Sequence, residues 1–201
     1  VGRVWTEEES VRLLEICRKH KVLVISDEIH QDFTYGHHHI PTAVLEGGRY
    51  RDQTITLNSA SKSFNIAGLT HCHIIISEAS LRHQYDAFAK TIFQTEPNLM
   101  GMLATEAAFQ AGQAWLDGVK EVIYHNYREV FTAFEQRAPE VIVSPLEGSY
   151  LVFIDLRQVL DPSEVKTFIQ DRCGLAVDYG EWFGENYVGF IRLNLATNPD
   201  Y

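Results

Sequence analysis

Val22-Leu23-Val24-Ile25-Ser26 is an apolar run with no polar alternation. Such a run predicts a strand of a parallel sheet covered on both faces, because a strand with one wet face alternates apolar and polar residues. A second run, Thr54-Ile55-Thr56-Leu57, is rich in β-branched residues and also reads as a buried strand. In open α/β sheets, ligands bind beyond the carboxyl ends of the strands. Both runs carry polar chemistry at that end. Asp27-Glu28-Ile29-His30 follows the first, and Asn58-Ser59-Ala60-Ser61-Lys62-Ser63 follows the second.

The rest of the chain supplies helices and further strands. Thr6-Glu7-Glu8-Glu9 is a capping box, with a hydroxyl N-cap and Glu at the third helical position. Apolar Val11, Leu13, Leu14 and Ile16 follow, predicting an amphipathic helix over 7–19. A third strand is expected from Cys72 to Ile76. Ser80 is the expected cap of a helix ending near Ala89, and Asn98 precedes another over 99–111, closed by Gly112. Trp115 to Arg137 reads as one long helix ended by Pro139. Beyond it, strands are expected at 141–143 and 150–155 around a turn at 147–149. A helix over 162–173 follows, with Asp161 as N-cap and Gly174 after its end, then strands at 175–177 and 189–194. The pattern is a small α+β unit after an α/β one.

The 201 residues suffice for one large domain or two small ones. The net charge of −10 comes without a dense basic run, which argues against nucleic acid or an anionic membrane surface as partner. No apolar stretch is long enough to span a bilayer. Cys17, Cys72 and Cys173 are widely spaced, as expected of reduced thiols in a cytosolic protein. His37-His38-His39 reads as a solvated loop, because consecutive histidines do not converge easily on one metal. Val1-Gly2-Arg3-Val4-Trp5 and Asn198-Pro199-Asp200-Tyr201 read as cuts within a longer chain.

Asp27 and Lys62 are expected at the same edge of the same sheet. A carboxylate and an amine there make either a salt bridge or the two ends of a pyridoxal phosphate site. In the second case the lysine joins the cofactor aldehyde and the carboxylate keeps the pyridine nitrogen protonated. Ser59 and Ser61, two apart and just before the lysine, offer hydroxyl and backbone donors to a phosphate.

Val1-Gly2-Arg3-Val4-Trp5-Thr6, Ile25-Ser26-Asp27-Glu28-Ile29-His30, Ser59-Ala60-Ser61-Lys62-Ser63-Phe64-Asn65-Ile66, Ser149-Tyr150-Leu151 and Phe190-Ile191-Arg192-Leu193-Asn194 together carry a family resemblance. The chain resembles the fold type I pyridoxal-phosphate enzymes of the aminotransferase class I/II superfamily, and within it the cystathionine β-lyase or C–S lyase branch. The resemblance implies an α/β, PLP-dependent transferase-like fold. Residues 1–112 would form the C-terminal part of the large cofactor-binding domain, a mixed, mostly parallel sheet with helices on both faces. Residues 113–201 would form the small α+β C-terminal domain, entered by the linking helix at 115–137.

The resemblance also implies roles. Lys62 would be the Schiff-base lysine and the base at the substrate Cα, and Asp27 would pair with the pyridinium nitrogen. His30 stands where aminotransferases usually carry a tyrosine near the cofactor hydroxyl. Ser59 and Ser61 would contact the cofactor phosphate or orient the lysine, and Arg192 would clamp the substrate α-carboxylate. Thr70 stands where many aminotransferases carry a phosphate-binding arginine, a departure that fits the lyase branch. The family is about twice this length. Its N-terminal half supplies the phosphate loop, the aromatic residue stacked on the pyridine ring and an asparagine at the cofactor hydroxyl.

The expected activity is α,β-elimination of a sulfur-containing amino acid to thiol, pyruvate and ammonia, in a cytoplasmic homodimer with the site at the subunit interface. A class I/II aminotransferase is the alternative within the superfamily. An inactive fragment or interaction module is the alternative outside it.

Overall fold

The computed structural model describes residues 2–94 and 96–200, so the expectations that touch Val1 and Tyr201 lie outside the described residues. The chain divides into two compact units. Val4–Asp32 and His38–Leu116 form one. Asp117 onward, with Phe33–His37 and the segment up to Arg3, forms the other.

The first unit opens with α1 (Glu7–Lys19). Its capping box is complete. Glu9 N–H donates to Thr6 Oγ1 at 3.2 Å, and Thr6 N–H donates to Glu9 Oε2 at 3.0 Å. Leu14 is buried with Leu45 and Tyr50, and Val11 and Val24 pack against them. The strand after α1 starts late, because Val22 N–H still bonds Cys17 O at 2.8 Å and Lys21 turns left-handed. It is β1 (Val24–Asp27). A polar connection with the single turn α2 (Leu45–Gly48) leads to β2 (Thr54–Asn58). The short helix α3 (Ala60–Ser63) and then β3 (His73–Ile76) follow.

These strands form one sheet in the order β1-β2-β3. β1 and β2 are parallel, while β2 and β3 are antiparallel. The expected cover on both faces is not supplied within the described chain, because Ile25 is 63% exposed.

Helices α4 (Ala79–Thr91) and α5 (Leu99–Ala111) complete the unit, which also takes the first residues of α6 (Gln113–Arg137). Asn98 caps α5 as expected, its Oδ1 accepting Met100 N–H at 3.0 Å. The cap of α4 is Glu78 rather than Ser80. Its carboxylate accepts the N–H groups of Ser80 at 3.0 Å and Leu81 at 2.6 Å. A charged acceptor suits the positive helix end better than a hydroxyl. The Ser80 hydroxyl and those N–H groups hold the Glu78 carboxyl down to about 2.

The second unit is built on a four-stranded antiparallel sheet in the order β4-β5-β7-β6. Its strands are β4 (Ile142–Val143), β5 (Leu151–Asp155), β6 (Asp178–Tyr179) and β7 (Phe190–Asn194). Ile123, Val152, Ile154 and Ile191 are buried in its core. Asn126 of α6 donates from Nδ2 to the carbonyls of Leu195 and Thr197, both at 2.9 Å. Gly2 adopts φ +81°, and a Cβ there would lie 2.4 Å from Pro145 O, so only glycine suits the position.

Two expectations fail in this unit. The helix over 162–173 reduces to α7 (Val165–Thr167) followed by a π-helical turn over Phe168–Arg172. Asp161 Oδ1 takes Ser163 N–H at 2.8 Å and Ser163 Oγ at 2.6 Å as an N-cap would, but 162–164 form a turn and regular helix begins only at Val165. No strand forms at 175–177, because Leu175 N–H closes the preceding helical segment onto Ile169 O at 3.0 Å. Among the described residues, no helix is long and apolar enough to cross a membrane.

Candidate active site

Asp27 closes β1, and its Cα pairs in register with Leu57 of the parallel strand β2. The ladder runs one bond further, with Glu28 N–H donating to Leu57 O at 2.8 Å. The carboxyl ends of the two strands therefore share one sheet edge. Asp27 is exposed there, and its Oδ1 accepts Ile29 N–H at 3.2 Å. His30 is half-buried in the turn that follows. Lys62 sits in α3, directly beyond β2, and is half-buried. Among the described residues, no ion pair joins Asp27 to Lys62. The structure thus leaves the carboxylate and the amine apart instead of neutralising one with the other.

The two serines expected to serve the cofactor, Ser59 and Ser61 just before Lys62, differ. Ser59 is buried and caps α3, its Oγ accepting Ser61 N–H at 3.0 Å. The same hydroxyl donates to His71 O at 2.6 Å, which uses its only proton. Ser61 keeps a half-buried hydroxyl with no hydrogen-bond partner among the described residues.

Residues without an expected role in the chemistry hold this edge together. Ser63, fully buried next to Lys62, donates from Oγ to Asp32 Oδ2 at 2.5 Å. Glu28 buries its carboxylate to 2% exposure. Oε1 accepts Ser26 Oγ at 2.9 Å and Thr42 N–H at 2.8 Å. Oε2 lies 3.2 Å from His39 Nε2, at hydrogen-bond distance but off the ideal line. Burial pushes the Glu28 carboxyl up, yet His39, Thr42 and Ser26 outweigh that and hold it below the ordinary range. His37 and His38 are exposed as expected of a solvated loop, whereas His39 is not, because Glu28 draws it inward. The spacing of Ser26 and Glu28 was the available signal, since residues two apart on a strand share a face.

Aromatic packing fixes the turn after Lys62. Phe64 stacks on Trp115 with ring centroids 5.9 Å apart and meets Phe109 edge-on at 6.1 Å. Gly112 makes room for it, since a Cβ there would lie 2.3 Å from Phe64 Cε1.

Arg192 belongs to β7 in the second unit, directly opposite Asp178 of β6. Its Nε and Nη2 both donate to Asp178 Oδ2, at 2.9 and 2.6 Å. Its guanidinium lies over the Phe183 ring, 4.6 Å from the centroid. It is thus held in a structural ion pair of its own.

The donor set on the first unit's edge suits the group the sequence resemblance implies. An exposed carboxylate matches a protonated ring nitrogen, an unpaired amine matches an aldehyde, and a hydroxyl without a partner matches a phosphate oxygen.

Comparison with known proteins agrees with this chemistry. Residues 1–200 match the family model described as aminotransferase class I and II. The chain is 34% identical over 205 residues to cystathionine beta-lyase PatB of Bacillus subtilis (strain 168), covering 99% of this chain and 53% of that protein. It is 33% identical over 196 residues to protein MalY of Escherichia coli (strain K12), covering 96% of this chain and 49% of that protein. Among solved structures, cystalysin from Treponema denticola, which contains a pyridoxal 5′-phosphate cofactor, is similar with a TM-score of 0.90 and 34% identity. That match covers 98% of this chain and 50% of cystalysin. The chain spans about half the length of the curated relatives it matches.

Proposed function

The chain belongs to the class I and II aminotransferase family, and from that premise we propose that the protein carrying it is a pyridoxal-phosphate-dependent C–S β-lyase. The observation that carries the proposal is the shared edge of β1 and β2, where Asp27 and Lys62 follow neighbouring parallel strands without neutralising each other. The similarity to PatB, a cystathionine β-lyase, favours the lyase over a transaminase. Thr70, in place of a phosphate-binding arginine, argues the same way. Residues 1–112 are part of the large cofactor-binding domain in this reading, and residues 113–201 are the small domain. Its setting is a cytoplasmic homodimer.

When bound, pyridoxal phosphate supplies an aldehyde that an amino group can join and a ring that draws electrons from the substrate Cα. Asp27 holds the proton on the ring nitrogen. Lys62 would hold the aldehyde carbon in the resting enzyme, and its amine, freed when the substrate's amino group takes its place there, would accept the Cα proton. His30 would stand near the cofactor hydroxyl. Ser61 donates its hydroxyl proton to a phosphate oxygen, while Ser59 orients the lysine turn. Arg192 binds the α-carboxylate of the amino acid. Loss of a thiolate from Cβ follows, and hydrolysis yields pyruvate and ammonia.

The test uses the full-length protein with pyridoxal phosphate, as wild type and Lys62→Ala. The expected result is a visible absorbance band that borohydride removes, leaving cofactor covalently on Lys62. Pyruvate is expected from cystathionine without an added keto acid. Absence of the band would overturn the cofactor reading. A band with amino transfer to a keto acid, and no pyruvate alone, would replace the lyase with a transaminase.

A further inference from the structure

We infer that Glu28 is a positioning residue for Asp27, acting through a buried latch that clamps the end of β1 to the 39–42 segment. The inference rests on the pyridoxal reading of Asp27. Side chains alternate across a strand, so Ser26 and Glu28 leave one face and Asp27 leaves the other. On the Glu28 face, everything is tied down. Glu28 takes Thr42 N–H at 2.8 Å and Ser26 Oγ at 2.9 Å, and Ser26 Oγ shares a further hydrogen bond of 2.8 Å with Thr42 Oγ1. His39 Nε2 closes the group at 3.2 Å. Glu28 N–H holds the neighbouring strand through Leu57 O. With Ser26 and Glu28 fixed at both ends, the pleat between them has one orientation.

Asp27 needs that help. It is exposed, and its carboxylate accepts a hydrogen bond from Ile29 N–H, a neighbour in the same turn. A carboxylate that must meet a ring nitrogen within a few tenths of an ångström gains precision from a support that does not move. Glu28 is a costly residue to bury in a strand end whose only task is to finish a sheet. Its burial is explained when the same carboxylate organises a loop and a functional neighbour together.

The experiment is a double-mutant cycle on cofactor affinity in the full-length protein, titrating pyridoxal phosphate into wild type, Glu28→Gln, Asp27→Asn and the double variant. Glu28→Gln is expected to weaken binding about tenfold, within the range of coupling between contacting groups. Asp27→Asn is expected to weaken it further, and the double variant to match Asp27→Asn alone. His39→Gln, which removes one outer contact of the latch, is expected to weaken binding in the same direction by less. It keeps the test open should Glu28→Gln not fold. A purely structural Glu28 would lower the thermal midpoint yet lose affinity independently of residue 27. Losses that multiply in the double variant would therefore overturn the inference alone, as would wild-type affinity in both Glu28→Gln and His39→Gln. Wild-type affinity in Asp27→Asn would instead overturn the reading of Asp27, and the inference with it.

Discussion

Ser63 donates its hydroxyl proton to Asp32 at 2.5 Å, joining the segment that follows Asp27 to the turn that carries Lys62. Ser63 is fully buried, whereas Asp32 is half-buried and keeps some access to water. Ser63→Ala is expected to cost about 1 kcal/mol of stability, the net worth of a hydrogen bond whose acceptor water can partly resolvate. Chemical denaturation of the two proteins measures it. Borohydride-fixed cofactor on Lys62 is expected to fall in the variant as the lysine turn loosens. An unchanged denaturation midpoint would show that this bond does not hold the edge together.

The Glu28 network gives stability a pH dependence of definite sign. The folded carboxyl is held below its ordinary value of 4.5 by His39, Thr42 and Ser26, against the upward push of burial. Its contribution is therefore complete above 4.5 and is lost as pH falls through the lower folded value. Glu28→Gln, which cannot ionise, is expected to be less stable than wild type at neutral pH and to lose less on acidification. Thermal midpoints measured from neutral pH down through 4.5 check this. Parallel curves for the two proteins would remove Glu28 as the source.

Ser59 and Ser61 separate cleanly by what their hydroxyls already do. Ser59 has spent its proton on His71 O and accepts Ser61 N–H. Ser59→Ala removes a helix cap and a buried bond, and is expected to destabilise the fold by about 1–2 kcal/mol. Ser61→Ala is expected to leave stability near wild type and to weaken pyridoxal phosphate more than pyridoxal, which lacks the phosphate. Equal losses for the two cofactor forms would take Ser61 off the phosphate.

These contrasts show which parts of the chain were legible from its residues. Thr6 with Glu9 and Asn98 with Met100 are contacts between near neighbours, so the sequence carries the whole signal. The shared edge of Asp27 and Lys62 was also legible, because two apolar runs ending in polar residues imply one sheet and one direction. Asp32 with Ser63 and Glu28 with His39 were not. Each joins residues far apart in sequence through a loop, and no periodicity reports where a loop folds back. The segment over 162–173 misled for a different reason. Asp161 and Pro162 signal a helix start, and Asp161 does take Ser163 N–H as a cap would, but the chain runs through a turn at 162–164 before Val165.

Gly112 tests how closely α5 must approach the lysine turn. A Cβ there would lie 2.3 Å from Phe64 Cε1, and Phe64 is stacked on Trp115. Gly112→Ala is expected to cost about 1–3 kcal/mol, the usual range for forcing a methyl into a packed site. The variant with Phe64→Leu added is expected to recover part of that loss, because the side chain in the way is then smaller. Denaturation of both variants gives the comparison. A single variant as stable as wild type would mean that Phe64 and the Ala108 carbonyl, 2.5 Å from the added Cβ, both give way freely.

Arg192 carries the sharpest prediction about substrate. Its Nε and Nη2 are given to a single Asp178 oxygen, which occupies one edge of the guanidinium and fixes its plane over Phe183. The other edge, Nη1 with the second proton of Nη2, has the spacing to take a carboxylate by two parallel bonds. Lysine cannot serve both partners, since its ammonium is a compact charge without a fork. In the full-length protein, Arg192→Lys is therefore expected to raise KM for the amino-acid substrate roughly ten- to a hundredfold, the worth of one to two charged hydrogen bonds, with a smaller change in kcat. Binding of an amine that matches the substrate but lacks its carboxylate is expected to change little, because that ligand has nothing to offer the fork. If carboxylate and amine ligands lose affinity equally, Arg192 serves the fold through Asp178 and the clamp lies elsewhere.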